Sequence, residues 1–549
     1  MSSLQLPSAP GSQLFKQGYQ TYQSEDGAVN RNIAACREIA SMVRTSIGPC
    51  GRNKIVINHL QKVFLTSDAA TILRELDVIH PAAKLLVMAS QQQQVEMGDA
   101  TNLVIILAGE LLNQAEGLLR IGLHTADIIQ GYELAQKYAL EVLPELVVDQ
   151  VGDLRAKAEL VKAIRPAIAA KQYGNEDLLA DLVADAVLEV MPTNPASFNV
   201  DNVRVVKIMG SSLAASTVVK GMVINREVEG VVKKIGKSKV GVYTCPIDIS
   251  QTDNKGTVLL HNAKEMLDFT KGEEAQLEEM VKGLADTGMR VIIAGQQVGD
   301  LAKNYLDRYG ILVLRVPSKF ELRRLCRVVG ATPLARLGPP MPEEMGTIDV
   351  VETVEIGGDR VTVFRQEQEK TRTSTVIVRG ATQNYLDDIE RAIDDGVSVV
   401  KALAKDARLV AGAGAAEIKL QQRIVDYADK TPGILQHAIK KFGEAFEAVP
   451  RVLADNAGLD ATEVLGRLYA SPSLTAGIDV DDESGTGTGV LDVKEHAIFD
   501  ALSAKAWAIK LATDTVNTIL SVDQIVMAKR AGGPQMPKQN LPGNWDEDD

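Results

Sequence analysis

Apolar residues recur at helical spacing over about residues 30–46, where Ile33, Ala34, Ile39, Ala40 and Val43 share one face. The Gly/Pro break SIGPCGRNK ends that helix, and the β-rich runs KIVINH and KVFLT that follow predict a hairpin. Helix formers dominate about 81–146, interrupted by MGDATN; the second half, LVIILAGELLNQAEGLLRIGL, is apolar on nearly all sides and must be buried. The pattern predicts two more helices over about 151–192. Near residue 200 the texture changes, and VRVVKIMG, STVVKGMVINREV and VGVYTCPIDI are β-rich. GMRVIIAG, a helix over about 298–308, ILVLRV and a helix over 318–329 make two β-α units of an α/β domain. The polar stretch SQTDNKGTVLLHNAKEMLDFTKGEEAQ reads as a helical excursion from it. After about residue 376 helices return and run to about Lys529, with a short strand or hairpin around 486–492. Residues 1–27 read as a mobile arm and the Pro/Gly-rich, then acidic tail as disordered. The plan is helical, α/β, helical: one helical domain split by an insertion, both chain ends folding together.

The 549 residues suffice for about three domains, and 45% hydrophobic with 24% charged residues can bury a large core. A net charge of -13 repels nucleic-acid backbones and argues against DNA or RNA as the main ligand. Four cysteines without a CxxC pair and six histidines exclude neither fold nor activity, but make a structural zinc site or a disulfide scaffold an unpromising expectation. They fit the reduced thiols of a cytosolic protein. The N-terminus has no basic-then-apolar signal pattern, and no run of 18 apolar residues predicts a membrane span.

Three loops of small residues adjoin helix ends: Ser46-Ile47-Gly48-Pro49, Gly98-Asp99-Ala100-Thr101-Asn102 and Gly412-Ala413-Gly414-Ala415. Such loops present backbone N–H groups to an anion, yet serve equally well as plain caps or close-packing points. Asp99 and Thr101 can cap their helix or bind a phosphate-linked Mg²⁺. Neither a Walker A sequence nor GxGxxG is present. Asp68 follows a predicted strand; Asp394 and Asp395 adjoin in a long helix, where paired acids are commonly a solvated face.

These same segments resemble the group II chaperonins. HPAAK, GDATN and LAGELL are similar to that family's HPAAK, GDGTT and LAGELL block; SIGPCGRNK resembles its GPxGxxK loop, SDAATIL its NDGATIL, and ERAIDDG with GAGAAE its catalytic helix and GGGAxE loop. Order and spacing match over about residues 30–529, and two stretches resemble one subunit type of the eukaryotic cytosolic complex. The resemblance implies a mixed α and α/β chain of three domains: an equatorial domain (1–146 with 405–549), an intermediate domain (147–214 with 377–404) and an apical domain (215–376) with a helical lid protrusion near 250–275. It implies a cytoplasmic ATPase, with ATP and Mg²⁺ as ligands, in a hetero-oligomeric double ring of sixteen with seven paralogous subunits, folding clients such as actin and tubulin. By position, Ser46, Ile47, Gly48 and Pro49 line phosphates, Asp99 binds Mg²⁺, and Ala100, Thr101 and Asn102 contact phosphates. Gly412, Ala413 and Gly414 wall the nucleotide, Asp500 contacts ribose or base, and Asp68 and Asp395 place the attacking water.

Ala69, Ala100 and Ala413 stand where the family pattern has glycine, and Asn102 where it has threonine. A Cβ at a left-handed position costs about 1–2 kcal/mol, so slow hydrolysis is expected, with a largely structural ring subunit as the alternative. In SKFELRRLCRVVG, Leu322, Leu325, Cys326 and Val329 form the expected core face. Lys319, Arg323 and Arg327 form a basic stripe, either solvated or, on the resemblance, contacting clients.

Overall fold

The computed structural model describes residues 20–22, 28–248, 262–366, 373–481 and 487–527. Its apolar residues segregate into separate cores. The largest draws on both halves of the chain, from Ile33 to Leu146 and from Val410 to Leu520. At its centre lies the helix Thr101–Ile121, apolar on nearly every side and packed against Ala28–Arg44, Pro81–Glu96 and Leu502–Leu520. Tyr132 closes this core: its ring meets Phe442 edge-on at 5.4 Å and its hydroxyl donates to Leu111 O at 2.9 Å, so burial leaves no polar atom stranded. The expected hairpin is present, Lys54–Ile57 pairing antiparallel with Val63–Thr66.

The chain leaves this helical body through the strand Val147–Gln150 and returns through Arg408–Ala411, which pairs antiparallel with it and with Phe499–Ala501. Beyond that small sheet lies a hinge body. Its helices Lys157–Ala169, Glu176–Val190 and Gln383–Lys405 bury Leu160, Ile164, Val183, Val187, Ile389 and Ile393 against the parallel strands Val203–Met209 and Ser374–Gly380. Farther out, Ser238–Tyr243, Met289–Ala294 and Leu312–Arg315 run parallel, with the helices Asp300–Arg308 and Lys319–Val329 in the two expected β-α units.

Some expectations change. The last helix stops at Leu520, short of Lys529; Ile525–Met527 is instead a strand paired antiparallel with Gln20–Tyr22. Part of the N-terminal arm is therefore ordered by backbone pairing, which a polar composition does not reveal. Val490–Asp492 is a strand, but its partner is Ala476–Ile478. The excursion near 250–275 is described only from residue 262, where the helix Ala263–Asp286 begins; its earlier part, like the tail, lies outside the described residues.

Candidate functional site

The three small-residue loops converge. A cavity of about 270 Å³ is walled by Ser46, Ile47, Gly48 and Pro49, by Asp99, Ala100, Thr101 and Asn102, and by Ala413, Gly414 and Asp500. Gly412 sits just behind, its N–H donating to Ile498 O at 3.0 Å. Across the opening the hinge body supplies Lys171 and Tyr173.

Local structure explains each loop. After the helix Ala28–Arg44, Ser46 N–H donates to Val43 O at 2.9 Å and its hydroxyl to the same oxygen at 2.7 Å, turning the chain into Gly48 at φ +82°. A Cβ there would be strained by the left-handed backbone and would displace Leu453 Cδ2, 2.5 Å away, so glycine is favoured. Ala100 at φ +62° and Gly414 at φ +78° cap the helices Thr101–Ile121 and Ala415–Lys430, whose first turns bring Thr101, Asn102, Leu103 and Glu417 to the cavity wall. Ala100 and Ala413 both adopt left-handed backbone, Ala413 at φ +51°. Ala69 does not; it opens the helix Ala69–Glu75, where a Cβ costs nothing.

Polar side chains in the loops serve the scaffold. Asn102 Oδ1 accepts from Ala69 N–H at 2.8 Å, while its Nδ2 donates to Ser67 O at 3.1 Å and to Ser46 O at 3.3 Å. It thus ties three loops together, and a nucleotide contact from this residue falls to its backbone. Thr101 Oγ1 donates to Asp68 Oδ1 at 2.9 Å. Gln93, fully buried, donates to Asp99 O at 2.9 Å and Ala504 O at 3.2 Å, fixing the Asp99 loop to the C-terminal helix.

Asp68 and Asp395 come from different bodies and meet on one lysine. Lys171 Nζ is 3.3 Å from Asp68 Oδ1 and pairs directly with Asp395 Oδ2. All three are nearly buried. Burial opposes the charge on Asp68, but Lys171, with donors from Thr71 and Thr101, outweighs it and holds the carboxyl at about 2. Burial raises Asp395 well above the ordinary carboxylate range, only partly countered by Lys171, with Asp68 and Asp99 adding to the rise. The difference has a structural cause: Asp68 accepts from Thr71 N–H, Thr71 Oγ1 and Thr101 Oγ1, whereas Asp395 Oδ1 is buried with no hydrogen-bond partner. Two carboxylates whose environments push them apart can divide the roles of fixed anion and proton acceptor.

No sequence motif marks Lys171, nor a second buried lysine bridge. Lys505 Nζ lies 2.7 Å from Glu417 Oε1 and 3.0 Å from Asp500 Oδ2. Burial opposes the charge on Lys505, and the two carboxylates more than offset it, raising its pKa. Lys171 lies between two helices in AAKQYGN, which carries no motif; only the tertiary fold reveals its partners. Burial also raises Asp99, whose Oδ1 accepts from Ala100 N–H at 2.6 Å; Asp500 and Asp68 add to the rise. Among the described residues no group of three or more His, Cys, Asp or Glu could hold a metal. The donor set at Asp99, one carboxylate in a pocket rich in acids and facing N–H groups, suits Mg²⁺ that takes its remaining ligands from phosphate and water.

Lys319, Arg323 and Arg327 are not part of this site. They are exposed on the helix Lys319–Val329, capped by the Ser318 hydroxyl, and border a groove in the distal body with Leu322 and Cys326 buried beneath.

A split helical body, a hinge and a distal α/β body, with small-residue loops around one cavity at the hinge, define a chaperonin subunit. The sequence matches the TCP-1/cpn60 chaperonin family over residues 39–530, and the chain belongs to that family. Within it the full-length similarity is to the theta subunit of T-complex protein 1. The chain is 58% identical to a probable theta subunit of Schizosaccharomyces pombe and 58% identical to that of Saccharomyces cerevisiae, each alignment covering 100% of both chains. It is 49% identical to the human theta subunit over 100% of this chain and 99% of the relative.

Proposed function

We propose that this chain is an ATP-hydrolysing subunit of a cytoplasmic hetero-oligomeric chaperonin, built with seven paralogous subunits into a double ring of sixteen that folds clients such as actin and tubulin. The observation that carries the ATPase reading is the Asp68–Lys171–Asp395 bridge, which joins two bodies beside a cavity lined by helix N-termini. In this reading the helical body is the equatorial domain (1–146 with 405–549), the hinge is the intermediate domain (147–214 with 377–404) and the distal body is the apical domain (215–376).

The backbone N–H groups at Ser46–Pro49 and Ala100–Asn102 receive the phosphates, and Ala413, Gly414 and Asp500 flank the nucleoside, with Gly412 supporting them from behind. Asp99 would hold Mg²⁺, which would supply positive charge to offset that of the phosphate oxygens. Asp68, held ionised, fixes Lys171 and one side of the attacking water; the unpartnered Oδ1 of Asp395 takes the water proton. Water oxygen bonds to the γ-phosphorus, and the bond to the β–γ bridging oxygen breaks with its electron pair leaving on ADP. Because Asp395 rides on the hinge helix Gln383–Lys405, docking of that helix and cleavage are coupled, and this coupling drives lid closure. Lys319, Arg323 and Arg327 favour acidic or polar client segments.

The left-handed alanines Ala100 and Ala413 favour slow turnover within this reading, toward a subunit that is largely structural. Native mass and composition of the particle isolated through this chain test the assembly. Sixteen subunits with seven related partners are expected; a lone monomer or a ring of this chain only would overturn it.

A further inference from the structure

The two carboxylates that flank Lys171 do not line the nucleotide cavity. Asp68 and Asp395 open instead onto a second cavity of about 640 Å³, between the helix Gln383–Lys405, the Lys54–Thr66 hairpin and the helix Ala69–Glu75. Lys171 lines both cavities and so forms part of the partition between them. From the placement of these two cavities we propose that the second one is a back passage: it admits the attacking water and releases inorganic phosphate while ADP still fills the first.

The inference rests on the ATPase reading above and adds a direction to it. In-line displacement puts the attacking water opposite the leaving ADP, on the far side of the γ-phosphorus. The side that carries Asp68 and Asp395 is the wall toward the second cavity. After cleavage the nucleotide blocks the way phosphate would take through the first cavity, and the side from which water came remains.

The passage has the chemistry to pass an anion. Beyond the Lys171 bridge, Lys62, Arg74, Lys207 and Arg391 line it, interleaved with the acidic Asp387, Glu390 and Asp394. Lys207 sits 2.6 Å from both the Asp387 and Glu390 carboxylates, so the wall is a chain of exchangeable ion pairs rather than a trap of one sign. Lys171 is the inner door. Pairing with Asp68 and Asp395 closes it, and a phosphate oxygen competing for its ammonium opens it.

Two substitutions at exposed positions on the wall leave the Lys171 bridge intact. Asn384→Trp narrows the opening, and Arg74→Glu places a negative charge along it. With the full-length chain in its assembled complex, ATP cleavage is followed by acid quench, and free phosphate by a fluorescent phosphate-binding reporter. We expect quenched cleavage at the parental rate in both variants, with the appearance of free phosphate delayed several-fold behind it. Cleavage and free phosphate both at parental rates would overturn the passage alone. Absence of cleavage in the parental chain would overturn the ATPase reading itself and the passage with it. If Asn384→Trp does not fold, Arg74→Glu gives the same comparison without added bulk.

Discussion

Lys171 holds one charge between two buried carboxylates, an arrangement that is costly to break from either side. Removing the cation in Lys171→Met leaves the ionised Asp68 buried beside Asp395 without its counter-ion, and a loss of about 3 kcal/mol is expected. Chemical denaturation of the parent and variant measures it, and adding Asp395→Asn to the variant should recover part of the loss. The sign with pH follows from Asp68. Its carboxyl is held at about 2, below the ordinary 3.8, so its contribution is complete above the ordinary value and is lost as pH falls toward 2. The gap between parent and Lys171→Met should therefore be widest near neutrality and narrow over that acid window. The left-handed alanines make a separate prediction. In Ala100→Gly and Ala413→Gly, relief of strain worth about 1 kcal/mol is offset by a similar gain in unfolded-chain entropy, so stability should change little. Turnover should rise, because the loop backbone can approach the phosphates more closely; steady-state hydrolysis checks it, and an unchanged rate would make the alanines neutral.

At the scale of elements, the helix Gln383–Lys405 is joined to the helical body at several points. Arg391 Nη1 donates to Leu65 O at 3.3 Å on the hairpin strand, and Gly98 meets Ser398 without room for a side chain. A Cβ on Gly98 would lie 2.2 Å from Ser398 Cβ, at a backbone φ of +75°. Gly98→Ala should push the hinge helix away from the Asp99 loop, lowering kcat several-fold while nucleotide affinity, read by equilibrium binding, stays close to parental. Much of this was legible in sequence, because Gly/Pro breaks in SIGPC, GDATN and GAGA mark helix ends whatever the tertiary fold, and the Leu322–Val329 core face follows from its period alone. The long-range pairings were not. Lys171 and Lys505 find their carboxylates only when distant segments pack. The resemblance implies a phosphate contact at Asn102, and its side chain is in addition engaged by Ala69, Ser67 and Ser46, which no local pattern encodes. The Gln20–Tyr22 strand escaped notice for the same reason: it exists only through its partner.

In the whole molecule, the cavity walled by the three small-residue loops lies at the seam where the chain leaves and re-enters the helical body, and the strands Val147–Gln150 and Arg408–Ala411 mark that seam. A core of its own, including Met97, Val151, Val399, Leu403 and Phe499, joins the two bodies there. Lys171 and Asp395 belong to the hinge body and Asp68 and Asp99 to the helical body, so any displacement of one body against the other would change the site. The central claim is that cleavage requires a carboxylate delivered from the hinge, and Asp395→Ala tests it most directly. Single-turnover cleavage of bound ATP is measured beside the amount of nucleotide bound. Binding should be retained and cleavage should fall by about 10²-fold or more, the loss typical of a missing proton acceptor. Cleavage at the parental rate with nucleotide fully bound would contradict the account.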